Sequence, residues 1–240
     1  MNQTNYDFLC NDLKFLGFAE GLQPALRDAL ETEHLSFELE FRNKIEEGTV
    51  AATLFFTRSD PEGYFFFSRY EMRLNEKRHL FFIFKGKGVT VKEGFNLLNG
   101  RAVFKQRKAK NGQTYNEWIE LDLNVPEENG FKVITYSESY GFELSPLIDS
   151  MQIDTPSANW DRAMLIRSLE RGNLQPAFLR QDDKNRKVLL SANPRERSIT
   201  VHELGSVARV STEETKTGDD IEDALNRKTS RAKRLKDITH

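Results

Sequence analysis

The chain has 240 residues, with 35 lysine and arginine against 37 aspartate and glutamate, a formal net charge of -2. With 38% hydrophobic and 30% charged residues it has the apolar mass for a packed core, and its balance excludes a uniformly basic nucleic-acid coat or a strongly acidic solvating chain. The single cysteine, Cys10, excludes an internal disulfide and a multi-cysteine zinc site, and the longest apolar run, Leu80 to Phe84, is far short of the ~20 residues that span a bilayer.

Met1-Asn2-Gln3-Thr4 lacks the charged-then-apolar plan of a signal peptide, so the expected compartment is the reducing cytoplasm. Tyr6, Leu9, Cys10, Leu13 and Leu16 then recur on one helical face, with Cys10 as a buried, inert thiol in the stripe, and Gly17 stops the helix. A second helix is expected from Leu22 to Leu30, with Pro24 in its first turn, where the missing N–H costs nothing.

Strict alternation follows. Leu35, Phe37, Leu39 and Phe41 face one way, opposite Ser36, Glu38, Glu40 and Arg42, which reads as a half-buried strand. A polar turn over 43–48, a strand from Val50 to Thr57, turn chemistry at Ser59-Asp60-Pro61-Glu62-Gly63 and strands over Tyr64 to Asn75 and His79 to Phe84 predict a four-stranded antiparallel meander. Leu80 to Phe84 is apolar on both faces, which predicts cover on both sides.

Thr90 and Glu93 have capping-box spacing at the head of a helix that ends at Asn99-Gly100. Strands over Ala102 to Arg107, Tyr115 to Leu123 and Phe131 to Ser137 make a second meander. A short helix or turn over Gly141 to Ser150 precedes a helix from Ser157 to Arg171, with Trp160, Ala163, Met164, Leu165, Ile166 and Leu169 inside. Three more strands run Gln175 to Arg180, Lys187 to Ala192 and Ser198 to Glu203. The fold class is therefore α+β: tandem antiparallel β-meanders, each preceded and backed by helices. The expected divisions are 1–138, 139–208 and a mobile charged tail over 209–240, which segregates acids at 212–223 from bases at 226–236.

Two sets of strings echo each other. Leu97-Leu98-Asn99-Gly100-Arg101-Ala102-Val103 resembles Leu169-Glu170-Arg171-Gly172-Asn173-Leu174-Gln175, and the run from Gly17-Phe18 to Leu26 resembles that from Gly141-Phe142 to Ile148. Duplicated units and coincidence of a common helix-glycine-strand pattern both account for this. Tyr6 to Leu9, Leu13 to Phe18, Val91 to Val103, Tyr140-Gly141-Phe142, Leu165 to Gln175 and Ala192-Asn193-Pro194 resemble an uncharacterised family from Bacteroidetes, over about residues 6–204. Members are often found on conjugative and other mobile elements. The resemblance implies origin and class and names no catalytic residue.

No pair among His34, His79, His202 and His240 has metal-ligand spacing, and the first three read as polar residues at strand ends or edges. There is no Gly-x-Ser-x-Gly, Walker loop or dinucleotide fingerprint, and Glu46-Glu47 and Asp182-Asp183 sit in predicted turns. No enzyme activity, cofactor, metal or small-molecule substrate is inferred.

One segment is sharper. Residues 85–110 carry Lys85, Lys87, Lys92, Arg101, Lys105, Arg107, Lys108 and Lys110 against one acid, Glu93. Lys85-Gly86-Lys87-Gly88 opens a helix and would suit a phosphate, and Trp118, expected on the polar side of its strand with Asn116 and Glu120, would stack on an unpaired base. With a basic arm of Arg227, Lys228, Arg231, Lys233, Arg234 and Lys236, this points to a non-catalytic nucleic-acid-binding accessory protein. The alternative is a protein-interaction module using the aromatic-rich sheet: Phe55, Tyr64, Phe65, Phe66, Phe67, Phe81 and Phe82.

Overall fold

The computed structural model describes residues 2–18, 20–32, 34–109, 111–151, 153–154, 161–181 and 184–203. The described chain is α+β, with three antiparallel sheets. Helices α1 (Gln3–Leu16) and α2 (Gln23–Leu30) lead into β1 (Ser36–Ile45), β2 (Gly48–Thr57), β3 (Phe66–Leu74) and β4 (Lys77–Phe82), a meander in chain order. Helix α3 (Val91–Leu98) connects to the middle sheet of β5 (Val103–Lys108), β6 (Thr114–Glu127) and β7 (Gly130–Ser137). Helix α4 (Leu144–Ser150), the short β8 (Ile153–Asp154) and helix α5 (Arg162–Glu170) lead to β9 (Gln175–Gln181), β10 (Lys184–Asn193) and β11 (Ser198–Glu203). These last three and β8 form the third sheet, in the order β11-β10-β9-β8. No helix among the described residues is long and apolar enough to cross a membrane.

Two cores share the middle sheet. Alternation along β5 and β6 sends Val103, Ile119 and Leu121 into the first core, with Leu9, Leu16, Leu26 and Leu97 of the helices and Leu54, Phe56 and Tyr70 of the first sheet. The opposite face carries a cross-strand row, Phe104–Trp118–Tyr136, into the second core with Phe142, Leu165 and Leu169. Asn96 of α3, fully buried, ties the two together: its amide donates to the Arg171 carbonyl at 2.6 Å and to Asn173 Oδ1 at 3.0 Å.

Three helix ends share one geometry. The glycine N–H reaches three residues back and the next N–H five residues back: Gly17 to Lys14 and Phe18 to Leu13, Gly100 to Leu97 and Arg101 to Asn96, Gly172 to Leu169 and Asn173 to Ser168. This Schellman closure needs a left-handed residue, and φ is 85°, 73° and 75° at the three glycines. The echoed strings around Gly100 and Gly172 spell this closure.

Several expectations are corrected. The turn expected over 43–48 is only Glu46-Glu47, because β1 stays paired to Ile45 and Glu46 takes a positive φ of 54°. Leu35 precedes β1 and is exposed rather than joining its inner face. Leu80 to Phe84 is not covered on both sides: Phe81 and Ile83 are buried, while Phe82 and Phe84 are 62% and 72% exposed. Helix α5 begins at Arg162 and buries Leu165 and Leu169, but Ala163 and Met164 face water. Trp160 and the charged tail lie outside the described residues.

Candidate nucleic-acid interface

The bases of 85–110, dense in sequence, are dispersed by the fold. Lys92 pairs with Glu46, and Arg101 approaches the other oxygen of that carboxylate at 3.7 Å. Lys105 Nζ lies 2.8 Å from Glu93 Oε2, with both side chains largely buried. Arg107 Nε donates to Glu117 Oε1 at 3.0 Å. Neutralised pairs of this kind release few counterions when a phosphate approaches. Lys108 is exposed on β5, and Lys110 and the six arm bases, Arg227, Lys228, Arg231, Lys233, Arg234 and Lys236, lie outside the described residues.

The helix start offers no phosphate cradle. Thr90 Oγ1 accepts from the Glu93 N–H and Glu93 Oε2 accepts from the Thr90 N–H, a closed capping box. Glu93 thus serves the cap and the buried Lys105 together. Trp118 does face the same side as Asn116 and Glu120, but that side is roofed by the second core. The indole is 5% exposed, 5.4 Å from the Phe104 ring and 5.1 Å from that of Phe142. It cannot stack on an unpaired base, because the middle sheet is covered on both faces.

The outer face of the first sheet is different. A β-bulge at Ser68 resets the alternation: Phe56 pairs with Phe67 but Phe55 pairs with Arg69, so Ser68 is the extra residue. Phe67 and Tyr70 both point inward as a result, and Arg69 turns outward. The register then aligns cross-strand rows on the outer face. Glu38, Phe55, Arg69 and Phe82 form one; Glu40, Thr53, Glu71 and Leu80 the next; Arg42, Ala51, Arg73 and Arg78 a third. The seven aromatics expected as a patch divide by face. Phe65, Phe67 and Phe81 are buried and Phe55 is half-buried, whereas Tyr64, Phe66 and Phe82 are exposed.

Beyond Phe82 the chain makes a two-residue hairpin. Phe84 and Lys87 exchange backbone bonds at 2.9 and 3.0 Å, and Lys85 and Gly86 both have positive φ, 51° and 69°. A Cβ on Gly86 would stand 2.2 Å from Asp12 Oδ1, so the hairpin seats against α1 through this glycine. Lys85 and Lys87 are thereby exposed beside the Phe84 ring, with Lys85 Nζ 5.5 Å from its centroid. The Arg69 guanidinium lies 4.8 Å over Phe55. Glu71 on this face is held by Arg73 and Arg78. Burial pushes its carboxyl up, but the two guanidinium bonds outweigh that and hold it below the usual range.

The histidines divide as well. His79, expected at an edge, is buried on the inner side of β4, where its Nδ1 accepts from the Phe131 N–H at 3.1 Å. Burial pushes its pKa down to about 4. His202 Nε2 lies 2.9 Å from Ser191 Oγ. Among the described residues no three histidine, cysteine or acidic side chains gather as a metal site. Comparison with family models, with curated proteins and with solved structures gives no match. The class this fold defines is an antiparallel α+β protein whose first sheet presents rings and cations together.

Sequence reasoning missed Arg69, Arg73, Arg78 and Phe84 as members of this surface. The spacing of Leu80, Phe82 and Phe84 carried a signal for the last. The bulge that turns Arg69 outward left none.

Proposed function

We propose that the chain is a non-catalytic accessory protein that binds single-stranded nucleic acid on the outer face of its first sheet. One observation carries this reading: Phe55, Phe66 and Phe82 share that face with Arg69, and the exposed Phe84, Lys85 and Lys87 follow on the hairpin just beyond it. Every base has a π-face, so exposed rings take successive bases without sequence preference while the cations track the backbone. In the three aligned rows Arg42, Arg69, Arg73 and Arg78 outnumber Glu38, Glu40 and Glu71, and the hairpin adds two lysines. The resemblance to proteins of conjugative elements supports an accessory role, and the basic run at 227–236, outside the described residues, adds positive charge to the chain.

A protein partner is the second reading. The three glutamates on the face lower its positive potential, and exposed rings of this size also mark protein docking sites. We also read the fold as tandem meanders, each preceded and backed by its own helices and descended from one duplicated unit. The echo of Leu97 to Val103 in Leu169 to Gln175, each leading from a helix into an antiparallel strand, supports this.

The test is fluorescence anisotropy with labelled oligothymidylate and a duplex of equal length, across a salt series. Salt-sensitive binding that favours the single strand is expected. The pair Phe82→Ala and Phe84→Ala should weaken it at least about tenfold, since stacking contributes about 1–3 kcal/mol per base. Absence of binding at low ionic strength would leave the face to a protein partner.

A further inference from the structure

A polar cleft of about 380 Å³ opens between the turn after α3, strand β6 of the middle sheet and strands β10 and β11 of the third sheet. Arg101 forms part of its wall, with only 11% of its side chain exposed. Among the described residues that guanidinium is poorly matched. Nη2 donates to Asn96 Oδ1 at 2.5 Å and approaches Glu46, a carboxylate already engaged by Lys92, at 3.7 Å. Its Nε–H is sealed from solvent and meets no acceptor. The guanidinium also lies 5.4 Å over the Phe95 ring, so Nε–H is its unmatched donor, and a buried cation with an unmatched donor is less favourable than one with a full set of acceptors.

The opposite wall supplies neutral hydrogen-bonding groups. Ser191 Oγ and His202 Nε2 are 2.9 Å apart, and Asn193 Nδ2 donates to Thr200 Oγ1 at 3.2 Å. Burial first, and the Arg101 charge second, lower the proton affinity of His202, leaving a neutral imidazole there. The charged groups on the β6 side are already engaged: Arg195 pairs with Glu120 and lies 3.9 Å from Asp122. Arg101 thus keeps an unmatched donor in a cleft lined also by Glu120, Asp122 and Arg195, which pair with one another, and by hydroxyl, amide and imidazole groups.

We propose that this cleft binds a small molecule carrying a carboxylate or phosphate, its anionic group paired with Arg101 and its hydroxyl or amide groups on Ser191, His202 and Asn193. Arginine suits both anions, because its planar donors match their oxygens. The volume suits a compact polar ligand and excludes a polymer. This site stands apart from the aromatic face and does not rest on it.

The test follows the His202 imidazole resonances of the full-length protein by NMR, at constant pH and ionic strength. Acetate, glycolate and inorganic phosphate are the probes, for a bare carboxylate, a carboxylate with a hydroxyl, and a phosphate. At least one should produce a saturable shift, and Arg101→Gln should weaken it about tenfold or more. Ser191→Ala, which leaves the buried charge in place, should weaken glycolate more than acetate, and it keeps the test decisive if Arg101→Gln does not fold. The Phe82→Ala, Phe84→Ala pair should leave the shift unchanged. No saturable shift with any probe, or a shift indifferent to both cleft variants, overturns the proposal.

Discussion

The segment 85–110 and the outer face of the first sheet are two ways of being basic, and they part in three dimensions. The segment holds eight bases against one acid in sequence. Folding brings it Glu46 from the turn between β1 and β2 and Glu117 from β6; Lys92, Lys105 and Arg107 are spent on ion pairs, and Arg101 is buried 3.7 Å from Glu46. The sheet face draws its cations from β1, β3, β4 and the hairpin, separated in sequence: Arg73 and Arg78 hold Glu71, while Arg69 and the hairpin lysines stand beside rings. Linear charge density therefore says little about surface potential: strand register decides which charges meet a partner and which meet each other.

Substitutions can break this contrast, from the largest effect to the smallest. Trp118→Ala should cost about 3–5 kcal/mol of stability by opening a cavity in the second core. Urea unfolding would show this, and single-strand binding under folded conditions should not change. A soluble, equally stable Trp118→Ala that loses binding would restore the indole to the interface.

Acid should act on the inner side of the strand that carries Phe82. His79 has a folded pKa of about 4 against an ordinary 6.5. Between those values the unfolded chain binds more protons, so stability rises with pH across the window and falls on acidification from about 6.5 towards 4, by roughly 2–3 kcal/mol. His79→Asn should flatten that part of the pH dependence, read from urea midpoints at pH 7 and 4.5. A wild-type curve no steeper than the variant's would mean that His79 charges freely.

Charge removal sharpens the comparison directly. Lys85→Ala with Lys87→Ala should lower the slope of log K against log salt by about 1.4 for single strands, at ~0.7 per phosphate. Lys105→Ala with Arg107→Ala should leave it nearly unchanged, since those charges are already paired. Equal effects from the two pairs would erase the distinction. Smallest of all, Thr90→Ala should cost about 1 kcal/mol through the lost cap and leave the salt slope alone, checked by thermal unfolding and the same titration.

Much of the fold was legible in the chain because its causes are local. Alternation over Ser36 to Arg42, turn chemistry at Ser59-Asp60-Pro61-Glu62-Gly63, the Thr90–Glu93 box and the glycines after α1, α3 and α5 all act within a few residues, and the strands and helices follow them. Even the echoed strings have a local reason in one helix-ending geometry. What lay beyond the sequence was long-range. Alternation assigned Trp118 to the right side of its strand, but only the packing of α5 and Phe142 made that side dry. Lys105 and Arg107 read as free until folding supplied Glu93 and Glu117, and the facing of Arg69 was set by a bulge at Ser68 that no local pattern announced. Period and capping are properties of neighbouring residues, so the sequence by itself determined the elements and their facing. Which faces are wet, and which charges are free, depends on partners tens of residues away, and that only the tertiary structure decided.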